Sequence, residues 1–215
     1  ELIAKETINK VRFFHPRQLN DLTWAYAQLE VRRPALNGAL MDATIGRVEE
    51  FQTKELADML HSFARLGTAS EAMLEVIAER LTTGMPELDP MTIEKVAFAF
   101  ATTGFVDEAV MNSLVTEVLA RLEEFTPDHL AGICWAFMSL DLAEETFIDA
   151  MKSVVAVRRN AFKASHLAKM IPAFVKWGVR EDVEGDLYLA AVQRVGKFCP
   201  ADLAIVAEAY EQHGD

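Results

Sequence analysis

Lys54, Arg65, Lys95, Lys169 and Lys176 recur at spacings that bring them to one side of a repeated element. Cations arrayed in that way can neutralise the phosphates of a strand laid across them. Trp24 and Trp135 occupy one further register position, shared with His61 and Phe98. Rings there could stack on bases, at about 1–3 kcal/mol each, or pack between neighbouring elements. Glu71, Asp107, Glu108, Glu144, Glu145, Glu181 and Asp182 form an acidic row in another register. Such a row either compensates helix dipoles or docks a basic protein surface.

Chemistry of bond making is absent from these patterns. The sequence has no phosphate-binding Gly loop, no H-E-x-x-H and no elbow Ser, and Glu123-Glu124 reads as a solvated helix end. His129 and His166 share one register position without Cys or carboxylate at ligand spacing, so no metal site is expected. Cys134 and Cys199 cannot build a disulfide framework and read as free thiols. The expectation is a non-enzyme with no catalytic residue, no metal and no cofactor.

The elements that must position these side chains follow from a repeat. FHPRQLNDLTWAYAQL from Phe14 returns from Phe51, Leu88, Phe125, Phe162 and Phe198, at intervals of 37 residues and finally 36. With the opening residue as zero, position 5 is Leu19, Leu56, Ile93, Leu130, Leu167 and Leu203, and position 12 is Tyr26, Phe63, Phe100, Phe137, Phe174 and Tyr210. At 100° per residue, positions 5, 8, 12 and 15 share one arc, the buried stripe of an amphipathic helix A. Pro16, Pro90, Pro127 and Pro200 suit its first turn, and Gly67, Gly104, Gly178 and Gly214 its left-handed end. The pattern predicts A helices over about 16–29, 53–66, 90–103, 127–140, 164–177 and 200–213. Pro172 should kink or shorten the fifth.

A second amphipathic pattern fills each remaining half and defines helix B, as in Met73/Ile77/Leu81 and Phe147/Met151/Val155. The fold expected is all-α: one α-solenoid over residues 1–215, of about five and a half antiparallel hairpins in a right-handed superhelix. Both ends fall inside the array rather than at polar caps, so a longer array is expected.

Composition agrees. Fifty-one per cent hydrophobic residues in 215 exclude wholesale disorder, and few Gly and Pro exclude a loop-rich β domain. No apolar run nears the roughly 18 residues of a membrane span, so direct membrane insertion is not expected. The formal charge of −12 excludes a polybasic tail. That charge is uneven, because the six A segments carry seven basic and nine acidic residues and the remainder 14 and 24.

The motif F-x-P-x-x-L-x-x-[LIVM]-x-W-A-[FY]-A-x-L-G, most literally FHPRQLNDLTWAYAQL and FTPDHLAGICWAFMSL, resembles the organellar heptatricopeptide and octotricopeptide repeats. It is similar also to the helical region preceding RAP domains in FAST-kinase-like proteins. The resemblance implies a mitochondrial or plastid protein in an RNA or ribosome context. The function expected is a non-catalytic binding or assembly module with single-stranded RNA or ribonucleoprotein as partner. The alternative is a structural or adaptor subunit of a large organellar complex, contacting other protein subunits only.

Overall fold

The structure, a computed structural model, describes residues 2–179 and 183–211. Every regular element among them is helical, and none is long and apolar enough to cross a membrane. The chain divides into two compact units, Glu1–Glu117 and Val118–Asp215.

In the first unit the A helices are α2 (Pro16–Gln28), α4 (Thr53–Leu66) and α6 (Pro90–Thr103). The B helices are α1 (Leu2–Lys10), α3 (Pro34–Ile45) and α5 (Glu71–Gly84), and α7 (Glu108–Ala120) runs across the boundary. A helices pack on A helices and B on B, so each unit is a two-layered stack of hairpins of the solenoid type. The second unit repeats the arrangement with A helices α8 (Pro127–Ser139), α10 (Ala164–Lys176) and α12 (Pro200–Glu211), and B helices α9 (Glu145–Arg158) and α11 (Val183–Gln193). The A-helix bounds match those the repeat predicts within a residue or two; residues 212–213 and Gly214 lie outside the described residues.

The stripe does what its spacing requires. Leu56, Ile93, Leu130 and Leu167 are fully buried at position 5, and Phe63, Phe100, Phe137 and Phe174 at position 12. Leu203, in the last A helix, is 39% exposed. The opening residues Phe51, Leu88, Phe125 and Phe162 are buried in extended backbone, an inward role that the sequence pattern left undefined.

Position 16 is left-handed in five successive repeats, at Glu30 (φ 53°), Gly67 (65°), Gly104 (70°), Asp141 (59°) and Gly178 (69°). Two of the five are not glycine, so the turn is imposed by the repeat even where the residue resists it. Pro172 neither ends nor shortens α10, which runs through it for 13 residues, as long as α8. The missing amide at Pro172 removes one internal bond, and burial of Ile171, Ala173 and Phe174 on either side holds the turn.

Each B helix passes into a short 3-10 turn before the next A helix: Val11–Phe13, Val48–Glu50, Met85–Glu87, Leu122–Glu124, Arg159–Ala161 and Val195–Lys197. An arginine near this junction fastens the repeat to its own beginning. Arg47 donates to the Phe14 carbonyl at 2.9 Å and Arg158 to that of Phe125 at 3.2 Å, both from position 33. Gly84 holds position 33 in the second repeat, where a Cβ would lie 2.9 Å from Thr53 Cβ. Arg80, one turn earlier, bonds the Phe51 carbonyl at 3.1 Å instead. In the 36-residue fifth repeat Arg194 reaches the Asn160 carbonyl at 3.3 Å.

Candidate nucleic-acid interface

Positions 3, 7, 10 and 14 of the A helices lie opposite the buried stripe and form the outer face of each A layer. In the first unit this face carries a ladder of ion pairs between consecutive repeats. Lys54 Nζ stands 2.6 Å from Asp89 Oδ2, and Lys95 Nζ 2.6 Å from Asp58 Oδ1. The Lys95–Asp58 pair is the more enclosed, with side chains 29% and 21% exposed. Asp89 also caps α6, accepting from the Thr92 amide and hydroxyl, both at 2.8 Å. Partial burial pushes its carboxyl up, but Lys54 and the Thr92 donors outweigh burial and bring it down to about 2.

Rings follow the ladder at position 10. Trp24 is 56% exposed, whereas His61 and Phe98 are half-buried with ring centroids 5.1 Å apart. Burial, then repulsion by Lys95 and Arg65, lowers His61 to about 4, so its imidazole is neutral at pH 7. With its amide oxygen turned toward both donors, Gln28 accepts from Trp24 Nε1 at 3.2 Å and from Arg65 at 3.1 Å. Arg65 has no carboxylate partner among the described residues. It lines a hollow of about 480 Å³ with Glu30, Arg32, Phe98 and Thr102, at the C-terminal ends of the A helices. Two guanidinium groups, a hydroxyl and a ring edge around one hollow suit a nucleotide's phosphate and base, with Glu30 the one carboxylate of the lining.

The outer face of the second unit is composed differently. Lys176 is 3.0 Å from Asp141 Oδ1 and donates to the Met138 carbonyl at 3.0 Å. Lys169 stands 3.9 Å from Asp128 Oδ1, and His166 Nε2 3.5 Å from the same atom. Trp135 is half-buried, and Pro172 takes the next ring position, which ends the aromatic row. Four of the five cations read as phosphate contacts thus have a carboxylate within 4 Å, and Arg65 alone does not. The histidines at position 4 turn back on their own helices: His129 Nδ1 accepts from the Thr126 amide at 3.4 Å, and His166 Nδ1 from that of Lys163 at 3.2 Å.

The acidic row sits at B-helix beginnings. Asp107 Oδ1 accepts from the Val110 amide at 2.9 Å and Glu144 Oε2 from that of Phe147 at 2.6 Å. Glu71, Glu108 and Glu145 are the first residues of α5, α7 and α9. Each carboxylate therefore meets the positive end of a helix, and two of them satisfy otherwise unpaired amides. Glu181 and Asp182 lie outside the described residues.

A larger asymmetry of charge cuts across the A and B segments. Residues 150–180 contain seven cations and no Asp or Glu, in a chain of formal charge −12. A running count of charge along the sequence exposes this stretch, which the repeat register divides between two helices.

With this geometry in view, comparison with known proteins is informative. None of the individually curated proteins matches the chain. The family model described as RNA-editing substrate-binding complex 8 protein matches residues 16–176, from the start of α2 to the end of α10 and well over half of the chain. The chain belongs to the RNA-editing substrate-binding complex 8 protein family.

Proposed function

We propose that the chain is a non-catalytic subunit of an RNA-editing substrate-binding complex, using its helical repeats both to hold other subunits and to touch single-stranded RNA. The observation that carries RNA contact is the Trp24, His61, Phe98 row beside Gln28 and Arg65 on the first unit. Rings in line with an uncompensated guanidinium are what a sequence-tolerant strand requires: faces for bases and a cation for phosphate. Ion-paired Lys54, Lys169 and Lys176 fit the same reading as exchangeable contacts, since pairs this exposed hold their partners by about 1 kcal/mol or less, while the more enclosed Lys95 exchanges less readily. The repeat form is heptatricopeptide-like, as the 37-residue period suggests, and the compartment we propose is the mitochondrion.

Filter binding of a single-stranded oligoribonucleotide from about 50 to 200 mM salt tests the contact. Trp24→Ala should weaken binding by about 1–3 kcal/mol. Arg65→Gln should flatten the salt slope by about 0.7. Duplex RNA should bind less well, because paired bases offer no faces to the row. No retention at any salt would transfer the reading to an adaptor that contacts protein alone. The compensated lysines and the acidic B-helix row favour that second reading, and mass spectrometry of material co-purifying with the chain would identify the subunits.

A further inference from the structure

Where the acid-free stretch meets the last hairpin, Lys163, Arg194 and Lys197 line one cleft of about 490 Å³. Lys163 and Lys197 are exposed, and neither has an ion pair among the described residues. Arg194 is held by backbone carbonyls, those of Ala190 at 3.0 Å and Asn160 at 3.3 Å. These bonds fix the guanidinium at the rim without neutralising it. Asn160 and Ser165 add neutral donors, and Asp202 is the one carboxylate of the lining.

The register shows that this charge is not a by-product of the fold. A cleft of the same kind opens three repeats earlier, lined by Glu49, Glu50, Lys54, Arg80 and Glu87. There the cations are matched, Arg80 with Glu49 at 2.7 Å and Lys54 with Asp89 at 2.6 Å. One groove, built by the same repeat, is self-neutralised in the first unit and left cationic in the second.

We propose that the Lys163, Arg194, Lys197 cleft binds backbone phosphate of single-stranded RNA. A nearly donor-only lining suits a group that accepts from several directions at once, and three unmatched cations release counterions when a phosphate enters. The proposal rests on the RNA-contact reading but concerns residues that lie outside the aromatic row.

The test uses the full chain, an oligouridylate as probe, and the double variant Lys163→Gln/Lys197→Gln. Its thermal midpoint should equal that of the parent, because the two lysines make no ion pair that the substitutions would break. Affinity for the oligouridylate should fall about tenfold near 100 mM salt, with the salt slope flatter by about 1.4, the order expected for two lost phosphate contacts. Polyglutamate of matched charge should compete weakly against the parent. Unchanged affinity in the double variant, while Arg65→Gln still weakens binding, would overturn the cleft and leave the RNA reading standing. No binding by the parent would overturn both. Competition by polyglutamate equal to that by unlabelled RNA would overturn the phosphate assignment in favour of an acidic protein segment.

Discussion

The two clefts at equivalent places in the second and fifth repeats share their backbone and differ in their charge. Around the first, Glu49, Glu50 and Glu87 outnumber Lys54 and Arg80; around the second, Lys163, Arg194 and Lys197 outnumber Asp202. The inward side chains of the same repeats barely differ, with Phe51 and Phe162 both buried at the opening position and Phe63 and Phe174 at position 12. The packing constraint fixes what points inward and leaves the outer groove free to acquire either charge. Function in such a protein is therefore sought where repeats disagree, not where they agree.

The sharpest test of the shared interior is the aromatic at position 12. Phe63→Ala and Phe137→Ala should each cost about 3–5 kcal/mol, read from urea midpoints, since both rings are buried and Phe137 also stacks on Phe147 at 4.8 Å. Ser139→Ala, on the outer face, should stay within about 0.5 kcal/mol. A large loss at one phenylalanine and a small one at the other would break the equivalence of the two interiors.

Next in size is the left-handed turn. Glu30→Gly should raise stability by up to about 1 kcal/mol, because glycine adopts that backbone without strain. Asp141→Gly should gain less, having lost the carboxylate that meets Lys176. Equal gains would show the Lys176 pair to be idle.

Acid should distinguish the carboxylate ladder. Asp89 is held down to about 2 in the folded chain against an ordinary 3.8. Its contribution is complete above pH 4 or so and fades as pH falls toward 2. Being half exposed, the pair is expected to account for about 1 kcal/mol at most. Asp89→Asn should remove that part of the slope. His61 adds a second loss at higher pH: its folded value of about 4 lies below the ordinary 6.5, so the neutral ring favours the fold above 6.5 and less so down to 4. Phenylalanine at that site, His61→Phe, should flatten the curve between those values.

The smallest effect expected is a transplant. Glu87→Lys places a cation in the first cleft and should steepen the salt slope of RNA binding by about 0.7, with roughly threefold higher affinity. An unchanged slope would mean that the two clefts differ in more than charge.

Much of the fold is legible because a repeat averages over accidents. An aromatic at position 12 in all six copies and a proline at position 2 in four of them locate the A helices to within a residue or two. The ladder is harder to read, since Lys54 meets Asp89 and Lys95 meets Asp58 across a whole repeat. Asp58 and Lys95 do share position 7, and opposite charges at one position of consecutive repeats are a signal that a register-by-register comparison would catch. The 3-10 turns and the arginines behind them leave only a faint mark: Arg47, Arg121 and Arg158 keep the period, but Gly84 interrupts it and Arg80 substitutes from another turn. The cleft escaped for a different reason, because Lys163 and Lys197 come from opposite ends of one repeat and converge only after the hairpin closes.

The arginine that joins the end of a hairpin to the carbonyl at its beginning has a consequence for how such a chain changes length over generations. The first, second and fourth hairpins each carry their own fastening, so a copy of one of them inserted by duplication would arrive complete and owe nothing to a distant partner. Its long side chain also tolerates error. Where the fifth repeat is one residue shorter, Arg194 takes the Asn160 carbonyl, two residues before the opening Phe162, and the hairpin still closes. Such a join would let whole hairpins, and even single residues within them, be gained or lost without the invention of a new one.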